Sequence, residues 1–113
     1  MKKWIKLVDC EETEFWRGML LCFSASYPFE DKVVMMLSQH RMGEEPFDLV
    51  TITGHKSGIN PYVVFPKESQ ISSDKLALSK EWLIQNWTKW VWPDGDVNDV
   101  WVSDSLEVSE VFK

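Results

Sequence analysis

Short runs of apolar and β-branched residues alternate with polar turns along most of the chain. These runs predict six strands, over residues 4–8, 14–23, 32–38, 47–53, 62–65 and 97–102. The segments between them are polar or contain glycine and proline, as in the acidic connection 9–14 and the loop 54–61. The pattern therefore indicates a chain built mainly of short strands.

One segment departs from this pattern and has the spacing of a helix. Its apolar side chains, between residues 79 and 91, share a single stripe made of Leu83, Ile84, Trp87, Trp90 and Val91. Ser79 is placed to cap the start of this helix, and Pro93 to stop it. Trp82 lies off the stripe, and we expect it to pack as a satellite against residues 71–78.

Runs of strands with one late helix favour an α+β fold, with an antiparallel sheet of about five or six strands and one main helix, in the C-terminal half, packed on it. A chain of 113 residues with 44% apolar residues has enough material for one core, so residues 1–113 are predicted to form a single domain.

No apolar run approaches the length that crosses a bilayer, and residues 1–6 lack the apolar segment of a secretory signal. We therefore expect a cytoplasmic protein that does not bind membranes.

The negative charge of the chain is concentrated near its end. The net charge is −6, and residues 91–112 hold six acids without a Lys or Arg, whereas residues 1–90 hold 12 acids against 11 bases. Such a field repels nucleic acid and anionic membranes and attracts basic surfaces. We therefore expect a basic protein partner and no direct binding of nucleic acid.

The same stretch is rich in tryptophan. Trp87 and Trp90 lie on the helical stripe and are assigned to the core, whereas Trp92 and Trp101 flank a Pro-Asp-Gly turn beside carboxylates, which is the composition of an interface hot spot. Plain packing of Trp92 and Trp101 is the alternative. The predicted partner-binding residues are Trp92, Asp94, Asp96, Asp99, Trp101, Asp104 and Glu107.

The acidic turn also resembles the first half of a calcium loop. Asp94, Asp96 and Asn98 have the alternating spacing of that loop, but its sixth position is Asp99 where glycine is needed, and its twelfth is Ser105 where a bidentate glutamate is needed. A solvated turn is therefore the favoured interpretation, and no metal site is predicted here.

Other candidate chemistry is sparse. His40 and His55 each stand in a loop without a partner at zinc-ligand spacing and are interpreted as lone surface histidines. Cys10 and Cys22 lack the spacing of a metal site and are interpreted as reduced, buried or half-buried residues. With no nucleophile elbow, phosphate loop or dinucleotide motif, we expect no catalysis and no cofactor.

The tryptophan pattern resembles the immunity protein 45 family. The resemblance includes Trp4, the Asn60-Pro61 pair before a strand ending at Pro66, the W-x4-W-x2-W-x-W-P spacing over residues 82–93, and residues 96–102. It is clearest from residue 60 to residue 102.

This resemblance implies a small cytoplasmic α+β protein, encoded beside a bacterial polymorphic or contact-dependent inhibition toxin, that neutralises the toxin by binding it. Such proteins are commonly acidic because their toxins are often basic nucleases. We therefore expect a non-enzymatic inhibitor, monomeric or homodimeric, that covers the active site of a toxin C-terminal domain. Two alternatives stay open: an acidic adaptor or nucleic-acid mimic that binds a host or phage DNA-binding protein, and a small hydrolase with a cleft built from distant residues.

Overall fold

The computed structural model describes residues 4–27, 29–40, 43–59 and 61–104, and within them the chain forms nine short strands and one α-helix. The strands are β1 (Ile5–Lys6), β2 (Glu14–Phe15), β3 (Leu20–Ser24), β4 (Lys32–Gln39), β5 (Phe47–Thr51), β6 (Val63–Phe65), β7 (Gln70–Ser72), β8 (Lys75–Ser79) and β9 (Trp101–Ser103). The helix α1 (Lys80–Trp90) lies between β8 and β9. The predicted α+β class, with its helix in the C-terminal half, is confirmed.

The strands form two antiparallel sheets. The larger has six strands in the order β1-β9-β3-β4-β5-β6, and the smaller has three in the order β2-β8-β7. Strand β9 lies between the two earliest strands of the large sheet, because Val102 pairs with Ile5 on one side and with Leu21 on the other. The last strand of the described residues therefore lies within the large sheet between two of the first strands.

Helix α1 begins and ends close to the predicted positions. The side chain of Ser79 accepts a hydrogen bond from the backbone N–H of Trp82 at 3.1 Å, which confirms the predicted N-cap. Leu83, Trp87 and Val91 are buried, so the predicted stripe faces the core. Trp82 is a satellite as expected, although its ring contacts are with Phe65, at 5.3 Å between centroids, and with Trp90.

The core lies between α1 and one face of the large sheet. Alternate residues of the strands point towards the helix, and the buried cluster includes Leu21, Phe23, Val33, Met35, Leu37, Phe47, Leu49, Phe65 and Val102. Phe23 meets Trp87 edge to face at 5.0 Å between ring centroids. Tyr62 ties the end of the helix to the sheet, since its hydroxyl donates to the carbonyl oxygen of Val91.

The prediction of one strand over residues 14–23 was wrong. The segment divides into β2, in the small sheet, and β3, in the large one, with a turn between them. Gly18 adopts a φ of +97°, a left-handed conformation that glycine tolerates, and its N–H donates to the carbonyl oxygen of Leu37 at 2.7 Å. This turn sends the chain from one sheet to the other.

Two further expectations were wrong, and one element of the fold was missed. The predicted first strand contains only Ile5–Lys6, because Leu7–Asp9 turns into a 3₁₀ helix. The predicted last strand begins only at Trp101, since Val97–Asp99 is also 3₁₀. The hairpin of β7 and β8 was not predicted, and it forms a sheet by pairing with β2.

Candidate partner-binding surface

The predicted acidic surface centres on a turn that follows the helix, residues 93–99, here called the acidic turn. The carboxylates of Asp94, Asp96 and Asp99 are all exposed. The side chain of Asp96 accepts hydrogen bonds from the backbone N–H of Asn98 at 2.9 Å and from its amide nitrogen at 3.0 Å, which fixes the start of the 3₁₀ segment. The turn therefore presents its three charges on an ordered backbone.

The acidic turn rests directly on core tryptophans. The N–H of Gly95 donates to the carbonyl oxygen of Trp92 at 3.0 Å. A Cβ atom at Gly95 would lie 2.9 Å from Cδ1 of Trp92 and 3.5 Å from the indole nitrogen of Trp87. Because a larger residue would press on the ring of Trp92, glycine lets the turn approach the end of the helix closely.

The two tryptophans predicted to contact a partner have different surroundings. Trp92 is half-buried and packs against Phe29, at 5.8 Å between ring centroids, and Phe23, at 6.4 Å. Trp101 is 40% exposed, and the ammonium group of Lys6 lies 5.6 Å from the centre of its ring. Since Val102 points into the core, Trp101 lies on the sheet face turned away from the helix. Trp101 is thus the more accessible anchor, and both assignments stay predictions.

Asp104 lies apart from the acidic turn. It is exposed and follows β9 at the end opposite to Trp101. The last predicted site residue, Glu107, lies outside the residues that the structure describes. The structure therefore brings Asp94, Asp96, Asp99 and Trp101 to one end of β9 and Asp104 to the other.

Two shallow depressions border the acidic turn. One, of about 150 Å³, is lined by Phe23, Ser24, Trp87, Asp94, Gly95, Asp96 and Asp99. The other, of about 240 Å³, is lined by Cys22, Phe23, Ser24, Lys32, Asp99 and Trp101. Asp99 lies on the shared border and Lys32 contributes the only base to these two linings. The carboxylates therefore lie on the turn itself, and the base that borders them lies on the sheet.

The segment between β1 and β3 holds a feature that sequence reasoning missed. Trp16, at 51% exposed, is the most exposed of the seven tryptophans, and it lines a cavity of about 350 Å³ together with Glu12, Glu14 and Asp104. The sequence did contain a signal, since Trp16 follows the buried Phe15 by one position and so points outward.

A family model described as Immunity protein 45 matches residues 7–102. The chain belongs to the immunity protein 45 family. The match extends far before residue 60, where the resemblance in the tryptophan pattern becomes clear. It covers the helix and the strands from β2 to Val102 of β9, but not β1. No curated protein and no solved structure matches the chain.

As a member of the immunity protein 45 family, the chain is an immunity protein, a class that acts by binding a cognate toxin. In residues 4–27, 29–40, 43–59 and 61–104 no helix has the length and apolar character to cross a membrane. Within the same ranges, no three His, Cys, Asp or Glu side chains are grouped so that they could hold a metal ion. The Asp96 carboxylate of the calcium-like pattern is engaged instead in capping Asn98.

Each histidine of this immunity protein has a carboxylate partner, so the prediction of lone residues was wrong, although His55 lies at the surface as expected. His40 lies 2.9 Å from a carboxylate oxygen of Asp48, whose side chain is 6% exposed. Exposed His55 lies 2.6 Å from a carboxylate oxygen of Glu30. A hydrogen bond from its own backbone, followed by the one from His55, holds the pKa of Glu30 below its usual range. Both pairs link strand ends and loops across the sheet and are far in sequence from the acidic turn.

The cysteines of the immunity protein are free, with Cys10 buried and Cys22 half-buried, as predicted. Burial raises the pKa of each thiol above its usual range, and for Cys10 the opposing effect of Lys80 is smaller. A raised pKa leaves little of the nucleophilic thiolate near neutral pH. Neither cysteine therefore has the environment of a catalytic nucleophile.

Proposed function

We propose that this immunity protein neutralises a basic bacterial toxin domain, a nuclease, by covering its active site with the acidic turn and Trp101. The observation that carries the proposal is the display of Asp94, Asp96 and Asp99 on an ordered turn beside a 40% exposed tryptophan. No Lys or Arg occurs in the sequence from residue 91 to residue 112, and Lys32 is the base that lines a depression with Asp99. Membership of an immunity family makes a toxin the natural partner.

In this mechanism the carboxylates occupy the places that nucleic-acid phosphates take in the groove of the toxin. Both groups are anionic acceptors, so the lysines and arginines that hold phosphate would bind the aspartates. Trp101 supplies apolar burial near the centre of the patch, where a desolvated aromatic contributes most. The protein performs no chemistry itself, and it blocks the toxin by occupying the substrate groove.

The toxin is the C-terminal domain of a larger protein of the polymorphic or contact-dependent inhibition type, encoded beside this chain, and the two meet in the cytoplasm. Long-range attraction between the acidic turn and a basic groove speeds encounter, because complementary charge steers diffusing partners together. This steering weakens as salt is added, since exposed charges separated by more than about 8–10 Å are screened at physiological ionic strength. Salt dependence of association is therefore the signature of the mechanism.

The test replaces Asp94, Asp96 and Asp99 together by Asn and measures association with the inactivated toxin domain at low and high salt. Asparagine keeps the size and turn chemistry, so melting should change little. Clustered charge contacts couple by about 1.5 kcal/mol or more, so affinity should fall at least tenfold and the salt dependence should flatten. A matched control, Glu45→Gln, Glu68→Gln and Asp74→Asn, removes three exposed charges elsewhere and should keep the affinity of the wild type.

Equal association rates for the wild type and the Asp94, Asp96 and Asp99 variant at both salt concentrations would refute the acidic turn as the contact. A wild type that fails to bind the neighbouring toxin domain, yet binds a host or phage DNA-binding protein, would replace the proposal with the acidic adaptor. Full inhibition with the toxin groove still open to a short oligonucleotide would refute occlusion of the active site.

A further inference from the structure

Tyr27 lies in the loop between β3 and β4, residues 25–31, here called the hairpin loop. It is 94% exposed, more than any other large hydrophobic side chain in the described residues. A single exposed aromatic residue is common on protein surfaces and has no meaning by itself. Tyr27 differs because contacts on both sides of it fix the loop that carries it.

Backbone hydrogen bonds close the hairpin loop. The N–H of Ala25 donates to the carbonyl oxygen of Asp31 at 2.8 Å, and the N–H of Phe29 donates to that of Ser26 at 2.9 Å. The second bond spans Tyr27. The backbone on either side of the exposed ring is therefore held by the loop itself.

Side chains also attach the hairpin loop to neighbouring segments. The ring of Phe29 meets Tyr62 edge to face at 5.5 Å and Trp92 at 5.8 Å between ring centroids. The carboxylate of Glu30 lies 2.6 Å from Nδ1 of His55. A loop fixed in this way loses less conformational entropy when a partner binds it, so it is pre-organised for contact.

The contact of Glu30 with His55 depends on a close approach to the next loop. Gly54, beside His55, has a φ of +76°, and a Cβ atom there would collide with the Glu30 carboxylate. A larger residue would push this carboxylate away from His55. Glycine thus gives the carboxylate the space that the pair needs.

The hairpin loop and the acidic turn are neighbours. Trp92, which packs against Phe29, also accepts a hydrogen bond from Gly95 of the acidic turn. Ser24, the last residue of β3, lines both depressions that border this turn. Tyr27 follows Ser24 by three residues, a separation of at most about 11 Å. A standard interface covers about 800 Å² on each partner, so one partner can reach Tyr27 and the acidic turn together.

We infer that Tyr27 is an anchor that inserts into a depression of the cognate toxin domain, next to the contact of the acidic turn, and that Glu30 and His55 hold it in position. The inference rests on the proposed function and adds a second contact to it. Tyrosine supplies a large apolar ring with few rotatable bonds and a hydroxyl at its end. The matching depression of the toxin has apolar walls and a hydrogen-bonding group at its base.

The test measures binding of the inactivated toxin domain by variants of the anchor. Tyr27→Ala should weaken affinity at least tenfold, mainly through faster dissociation, and should melt like the wild type because the ring is 94% exposed. Tyr27→Phe keeps the ring and should lose less. Trp16→Ala is the matched control, since it removes an exposed aromatic that lies before β3 instead of after it, and it should bind like the wild type.

Two further variants test the positioning of the anchor. Glu30→Ala and His55→Ala each release the hairpin loop and should weaken affinity several-fold. Only Glu30→Ala removes a negative charge, so a loss shared by both variants reflects the broken contact. In the Tyr27→Ala background neither should weaken binding further, because the pair acts through the anchor. Losses that simply add in the double variants would refute this positioning role.

The outcomes for the anchor and for the acidic turn are separable. Wild-type affinity in Tyr27→Ala, or an equal loss in Trp16→Ala, overturns the inference. Unchanged binding by Tyr27→Ala together with a loss in the Asp94, Asp96 and Asp99 variant leaves the proposed function standing. A loss in Tyr27→Ala alone supports the anchor and refutes the acidic turn as a contact. Failure of the wild type to bind the toxin domain refutes both.

Discussion

Trp87 is the residue whose removal should most clearly separate scaffold from surface. Its side chain is 1% exposed and its ring meets Phe23 edge to face at 5.0 Å. Replacing a buried large aromatic by alanine costs about 3–5 kcal/mol, because transfer free energy is lost and a cavity is left. The ring contact with Phe23 accounts for about 0.5–1.5 kcal/mol of this beyond the buried area. We therefore expect Trp87→Ala to lower the free energy of unfolding by an amount within this range and towards its upper end.

A loss of this size is large for a chain of 113 residues. Native proteins are stable by only about 5–15 kcal/mol in total, so the variant keeps a narrow margin. At this chain length each kcal/mol corresponds to about 4 °C in melting temperature, and the expected fall is about 12–20 °C. Urea unfolding followed by circular dichroism gives the free energy directly, without the change in fluorescence that loss of a tryptophan causes.

Trp101→Ala is the matched control, because it removes the same side chain from a 40% exposed position. This substitution should lower the free energy of unfolding by about 1 kcal/mol or less, as other surface substitutions do. Trp87→Phe keeps a ring against Phe23, so its stability should lie between those of Trp87→Ala and Trp101→Ala. It gives a measurable variant if Trp87→Ala does not fold. Equal urea midpoints for Trp87→Ala and the wild type would refute the assignment of the helical stripe to the core.

Two further predictions follow from local contacts. Ser79→Ala removes the acceptor for the N–H of Trp82 and should lower the free energy of unfolding by about 1 kcal/mol. Ser79→Asp supplies another acceptor and should restore the stability. Equal stability of the wild type and the alanine variant would show that the cap is unimportant. Because burial raises the pKa of the Cys10 and Cys22 thiols, both should react with iodoacetamide more slowly than free cysteine at about pH 8, with rates that still climb above pH 9. Alkylation in concentrated urea should recover the ordinary rate, and fast labelling of the folded protein would contradict the buried placement.

The features that sequence predicted well are those set by near neighbours. The stripe of α1 and its Ser79 cap depend on residues within a few positions of one another, and the structure has both. Trp101, which the sequence placed beside the acidic turn as an anchor, is 40% exposed, and its role in binding stays a prediction. The exposure of the acidic turn follows from its crowded charges, in a stretch of sequence that contains no Lys or Arg.

The features that sequence missed depend on contacts between distant segments. The division of residues 14–23 requires the left-handed conformation of Gly18, which the residue permits but does not dictate. The small sheet exists because Phe15 pairs with Leu78, more than half of the chain away. The Trp16 cavity likewise needs β1, β2 and β9 together. The histidine pairs escaped notice for the same reason, since Glu30 and His55 lie in different loops.

The insertion of β9 between β1 and β3 has a consequence for the order in which the protein can fold. Strand β1 pairs with β9 alone in the described sheet, and their register joins Ile5 to Val102 across nearly the whole chain. Contacts between such distant residues cost loop-closure entropy before they stabilise anything, and they slow folding. During synthesis on the ribosome, β1 and one edge of β3 therefore have no strand to pair with until residue 103 has emerged. A nascent chain that ends before β9 lacks the finished six-stranded sheet, so the sheet can be completed only after this strand has been synthesised.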